Sequence, residues 1–410
     1  MTPDDHRALK GGGGALVFVV CWSIALLFDV AVRWMARDVA TVALSCAAMA
    51  VLLRPSSGRR LAVMLIAQLA LVCSRLPDRL LVHWYFEALV GVVVLVGVAS
   101  AHARGSTGSA AAVKVVASPL RAIAVAALLL AGVAKLNTSF LDVNRSCASA
   151  LVAHQLAVIP GSLRDGLALR WFAIGGTLVC EILGPLLLVW ARTRWVGAVL
   201  VSGVLYGIGV NPGNELFEFT AAIGSPLLLF MSVGTLDGIA SEWRRAGRRV
   251  RATMAPERLQ RLVPAMVIAV LVAVAWVGDG HEWRPWRRQL CRLVWDFGVP
   301  LLLALAVVRR GRGSRAVLRS RAPRFAWVVL ALFLLWEAQP YGGRFHRPNF
   351  TMASGFRVAE GRTNHLVTPR ERRLGPGWCG HWREVWETYG YDTVLTPGVP
   401  GRRTPSQLGR

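Results

Sequence analysis

PLRAIAVAALLLAGVAKLNTSF, residues 119–140, is a run of small and branched apolar side chains that stops on a lysine and passes at once into a polar stretch. A helix that crosses a bilayer needs about 20 mostly apolar residues, and 119–135 has that character. The pattern recurs along the chain, near 15–32, 39–53, 61–73, 81–99, 172–190, 195–209, 216–235, 264–278, 295–308 and 324–338. Together these segments predict an all-α fold, a polytopic transmembrane helical bundle of about 9 to 11 spans.

The composition of the 410-residue chain agrees. It is 54% hydrophobic and only 17% charged, with a mean hydropathy of +0.47, which is too greasy for an ordinary soluble protein. The lipid bilayer is therefore the first partner expected. The formal charge of +24 suggests nucleic acid, but the arginines stand in short clusters between apolar runs, with no aromatic-interleaved patch, so no nucleic-acid partner is expected. Short cytoplasmic loops collect Lys and Arg. Alternating the spans from an inside N-terminus puts the heaviest clusters, at 236–263 and 309–324, on the cytoplasmic side.

That orientation predicts a multi-pass protein of the cell membrane with a cytoplasmic N-terminus, the first span being retained. Two regions follow: a transmembrane domain over 1–338 and an extracytoplasmic tail over 339–410, rich in Gly, Pro and Arg. The connection 136–171 carries turn signals at Asn137 and Pro160–Gly161 and is expected to hold a helix lying on the outer surface.

Ionisable groups at membrane depth cost about 2.5 to 3.5 kcal/mol, so each invites a functional reading. Lys135 is one of only three lysines, beside Lys10 and Lys114. An anchoring cation in this chain would ordinarily be arginine. A shielded lysine can lose its proton and act as a base, whereas arginine keeps its own. Snorkelling to the headgroups is the competing reading. Ala124, Ala127, Leu128 and Ala131 share its face, with Gly132 beside them to admit a second helix.

Glu181, in LVCEILGPLL (178–187), sits near the middle of its span. By helical rise it lies about 13 Å below the outer end, a gap that two long side chains can just bridge to Lys135. Asp29 and Arg33 at i and i+4 suggest a local pair. His83 and Glu87 have the same spacing near an outer end, as either an interfacial pair or a proton relay. Glu215, Glu218 and Glu337 read as interfacial. Cys379, His381, His346 and His365 lack the spacing of a closed metal site, so no metal is expected. The spacings of Cys73, Cys147, Cys291 and Cys379 assign no disulfide.

LLLAGVAKLNTSFL (128–141), an outer segment, then WFAIGGTLVCEILGPLLLVWARTRWVGAVLVSGVLYGIGV (171–210) resemble the HTTM domain of the vitamin K-dependent gamma-carboxylase family. The tail segment PYGGRFHRPNFTMASGFRVAEGRTNHLVTP (340–369) is similar to one following the last span in bacterial relatives. The resemblance implies a base at Lys135, and at Lys135 alone, that deprotonates a reduced quinone at the outer face; read as an enzyme, the chain adds Glu181 as electrostatic partner and Tyr206 or His83 as candidate proton donors. A tail of about 70 residues is too small for the lumenal region with which the carboxylase holds a peptide. The alternative is a non-catalytic transport or assembly component in which Lys135 and Glu181 form a structural pair.

Overall fold

The computed structural model describes residues 12–33, 39–75, 82–155, 166–210, 217–231, 235–242, 245, 293–300, 322–338, 358–359, 362–363 and 366. Five helices open the chain: α1 (Gly13–Arg33), α2 (Val39–Leu53), α3 (Gly58–Arg75), α4 (Val82–His102) and α5 (Ser109–Ala134). They form an antiparallel series in which α5 packs along α4 and α1.

The apolar faces found at helical spacing meet inside this series. Phe18 and Trp22 stack at 6.0 Å on α1. Leu61, Met64 and Leu65 of α3, Phe86 and Val90 of α4, and Leu120, Ile123, Ala124 and Ala127 of α5 complete the buried core. Lipid is as apolar as these side chains, so close packing and interhelical hydrogen bonds hold the helices together rather than water exclusion. At one end the loops before α3 and α5 are tied together. Gly58 N–H donates to Thr107 O and Ser109 N–H to Ser56 O, each at 3.0 Å. The Ser109 hydroxyl donates to Pro55 O. Both loops therefore share one side of the bundle, as up-and-down alternation requires.

The 136–171 connection holds helix, as its sequence led one to expect. Two short helices, α6 (Thr138–Leu141) and α7 (Cys147–Gln155), fill the first part of the connection, and α8 (Leu167–Val189) follows. Asn137 makes the turn: its Oδ1 accepts from Phe140 N–H at 2.9 Å while its Nδ2 donates to Ala134 O at 2.8 Å. The sequence signal at Asn137 was thus a helix N-cap. After α8 come α9 (Arg194–Gly209), α10 (Phe217–Leu227) with a 3₁₀ turn over Leu228–Phe230, α11 (Thr235–Glu242), a helical stretch over 293–300, and α12 (Arg324–Glu337).

Four described helices, α1, α4, α5 and α8, are long and apolar enough to cross a membrane. A fifth span results if the bent pair Phe219–Phe230 and Thr235–Glu242 counts as one. α2 and α9 are apolar but shorter. The apolar segment 216–235 holds α10 and its 3₁₀ turn, and α11, which follows at its end, lies at 118° to them. Pro226 lies in the last turn, the helix tightens to 3₁₀, and Met231 is extended. The segment 264–278 and residues 301–308 of the segment 295–308 lie outside the described residues.

The 119–135 segment also begins earlier than expected. α5 starts at Ser109 and runs through Pro119, so Lys114 lies in a helix and not in a loop. Proline costs about 3 kcal/mol inside a helix, but Val113, Val116, Ala117, Leu120 and Ile123 are all buried on either side of it. Tertiary packing carries the helix across. In the tail, a hairpin pairs Val358 with Thr363 and Ala359 with Arg362. Beyond it Leu366 N–H donates to Leu136 O at 2.9 Å, so this part of the tail touches the bundle beside Lys135.

Candidate functional site

Two chain features bring Lys135 and Glu181 together. The first is the end of α5. Lys135 is its C-cap residue, and its N–H closes onto Gly132 O and Val133 O. From there Nζ reaches across to α8, 3.4 Å from Ala131 O and 5.9 Å from the centre of the Phe140 ring. A cation over a ring face at that distance is attracted by its quadrupole.

The second is a defect in α8. Pro185 has no N–H to offer the carbonyl four residues back, and its ring crowds that carbonyl, which belongs to Glu181. The hydrogen-bond register slips, and Val179–Leu183 winds as a π-helix in which Gly184 N–H reaches Val179 O. Such single-turn bulges occur frequently at functional sites. Here the bulge faces α5 at its one residue without a side chain. A Cβ on Gly132 would lie 2.8 Å from Glu181 O and 2.7 Å from Ile182 Cγ1. Only glycine lets the two backbones come so close.

Glu181 Oε2 then stands 2.5 Å from Lys135 Nζ, with the side chains 9% and 11% exposed. The expected depth difference is corrected. α8 starts at Leu167, so its first turns extend past the end of α5 and Glu181 lies level with Gly132. α6 and α7 pack beside this overhang, where Phe140, Ala148, Ala173 and Ile174 form a small apolar cluster.

Residues around the pair escaped sequence reading. Cys147, on the first turn of α7, lies close enough to feel both charges: burial pushes its thiol up to about 11, Lys135 pulls against that, and Glu181 adds to it. The hydroxyls of Ser146 and Ser149 are buried beside it without a hydrogen-bond partner. Their signal was faint, since small polar residues in a connecting segment read as solvent-facing.

The other candidates go elsewhere. Tyr206 donates to Asp296 O at 3.2 Å and packs with Phe28, Ala221 and Trp295, a different cluster from that around Phe140. His83 lies in the first turn of α4, and its side chain is outside the described ones. Arg33 and Glu218 are in the same position, while Glu215, Cys291, His346, His365, Cys379 and His381 lie wholly outside. Asp29 accepts from Trp84 Nε1 at 2.9 and 3.0 Å, a partner on another helix. Glu337, expected at the interface, is 2% exposed because the end of α12 packs on α4, where Tyr85 meets Trp336 and Phe333.

No family model, no curated protein and no solved structure matches the chain. Its class rests on the helices: it is a polytopic membrane protein built as an α-helical bundle.

Proposed function

We propose that Lys135 and Glu181 are the proton-transfer centre of a membrane enzyme acting on a lipid-soluble quinone or a similar redox compound, as the likeness to the gamma-carboxylase family implies. One observation carries this reading: an amine and a carboxylate in contact at 2.5 Å, shielded from water, at the π segment of α8. In a low-dielectric site the pair can exist as two ions or as a neutral amine beside a neutral acid. Moving the proton from nitrogen to oxygen leaves a base able to take a proton from a weakly acidic hydroxyl. The surroundings are apolar: the Lys135 amine stands over the Phe140 ring, which packs with Ala173 and Ile174. Orientation with the N-terminus in the cytoplasm and the tail outside puts this chemistry at the outer leaflet.

The near-complete burial of the pair also favours a second reading, a structural clamp between α5 and α8 in a transport or assembly component. Lys135→Arg separates the two, because it keeps the cation and removes the titratable amine. The purified variant is expected to retain wild-type abundance and melting behaviour while losing deprotonation of an added reduced quinone, followed by the absorbance of its anion. A variant as active as wild type sinks the catalytic reading. Extraction of lipids that co-purify with the protein identifies the compound class.

A further inference from the structure

A second polar centre lies among the first four helices, apart from the Lys135–Glu181 pair. Asp29 of α1, Gln68 of α3, and Trp84 and Glu87 of α4 line one cavity, closed by Leu44, Leu71 and Val72. Its volume is about 10 Å³, room for one water-sized sphere. Asp29, Gln68 and Glu87 are 4%, 1% and 2% exposed. Trp84 Nε1 fixes the Asp29 carboxylate from one side. Trp84, Glu87 and Gly91 fall on one face of α4, at i, i+3 and i+7.

Gln68 carries the inference. Its amide lies against Gly91, where a Cβ would stand 3.2 Å from Oε1. Among the described residues neither Oε1 nor Nε2 has a hydrogen-bond partner. An amide so buried and unpaired costs about 1 to 3 kcal/mol for each group left bare, and it lines a space that two acidic side chains share. An ionisable residue inside a membrane bundle marks an ion or proton pathway by default.

We propose that Asp29, Gln68 and Glu87 bind a single monovalent cation of about water size, either sodium or a proton carried on the carboxylates and water. The ligands decide the class. Carboxylate and amide oxygens suit a hard cation. Calcium takes six to eight oxygens and magnesium a near-ideal octahedron, whereas two carboxylates and one amide make a sparser shell. Among the described residues no group of three or more His, Cys, Asp or Glu stands ready for a metal ion. α1, α3 and α4 each contribute one ligand, so occupancy ties these helices together. Arg33, four residues after Asp29, and His83, four before Glu87, have side chains outside the described ones, and Tyr85 and Glu337 form a titratable pair on another flank of α4.

The full chain in lipid nanodiscs tests this. Its melting midpoint is compared in sodium chloride and in choline chloride at equal ionic strength, and its infrared spectrum is searched for protonated carboxyl groups. A rise of about 2 °C or more in sodium, absent in Gln68→Leu and Glu87→Gln, supports a sodium site. A melting midpoint indifferent to sodium, with a protonated-carboxyl band removed by Glu87→Gln or Asp29→Asn, supports the proton. Neither effect in the wild-type protein overturns the proposal and leaves the cavity to water. Both main readouts are taken on the unaltered chain, so a variant that fails to fold does not blunt the test.

Discussion

Two of the places where the described helices bury acidic side chains handle them in opposite ways. At the junction of α5 and α8, Glu181 meets a cation directly at 2.5 Å, and the packing is closed to the point that backbone touches backbone. Between α1, α3 and α4, Asp29 and Glu87 face a small space and a bare amide. One centre joins its acid to a lysine; the other sets its acids around a small cavity. A polypeptide lysine suits a site where a proton must shuttle over a short fixed distance, and a cavity suits an exchangeable occupant.

The sharpest way to break this contrast is Lys135→Arg. If the α5–α8 centre is catalytic, quinone turnover falls by about 100-fold or more, while the sodium response of the Asp29 centre stays as in wild type. Lys135→Ala probes the same pair for stability. Leaving Glu181 buried without its partner is expected to cost about 3–5 kcal/mol in a detergent unfolding titration, and the double variant Lys135→Met with Glu181→Leu should recover most of it.

The two glycines sharpen the comparison at lower energy. Gly132→Ala pushes a methyl against the Glu181 backbone and is expected to cost about 1–3 kcal/mol by the same titration. Gly91→Ala meets only the tip of the Gln68 side chain, which can shift, so its effect on melting should be the smaller. The mildest probe is the Cys147 thiol. Because Glu181 raises its pKa and Lys135 lowers it, alkylation at pH 9, read by mass spectrometry of the Cys147 peptide, should speed up in Glu181→Gln and slow down in Lys135→Met.

Helix positions were legible because membrane spans announce themselves by apolar length alone, and α1, α4, α5 and α8 began or ended close to the expected residues. Lys135 and Glu181 stood out for the same reason, as charges in an apolar background. What escaped notice depends on backbone register. Nothing in the composition of LVCEILGPLL says that Pro185 converts the preceding turn into a π-helix, although proline four residues after the glutamate is the physical cause. Gln68 was missed altogether, since one uncharged amide in an apolar run barely disturbs hydropathy. α5 starts at Ser109 and not near 119 because packing of Val113, Val116 and Ala117 carries the helix past Lys114 and Pro119.

The slipped turn in α8 is equivalent to carrying one surplus residue. A chain shortened by a single position between Val179 and Leu183 would wind as ordinary helix with the flanking turns nearly in phase, but the residues of the former bulge, Glu181 among them, would turn in a new direction. The carboxylate and the amine would then part company without either being altered. Genetic shortening of that turn is thus a cleaner eraser of the site than any change of side chain.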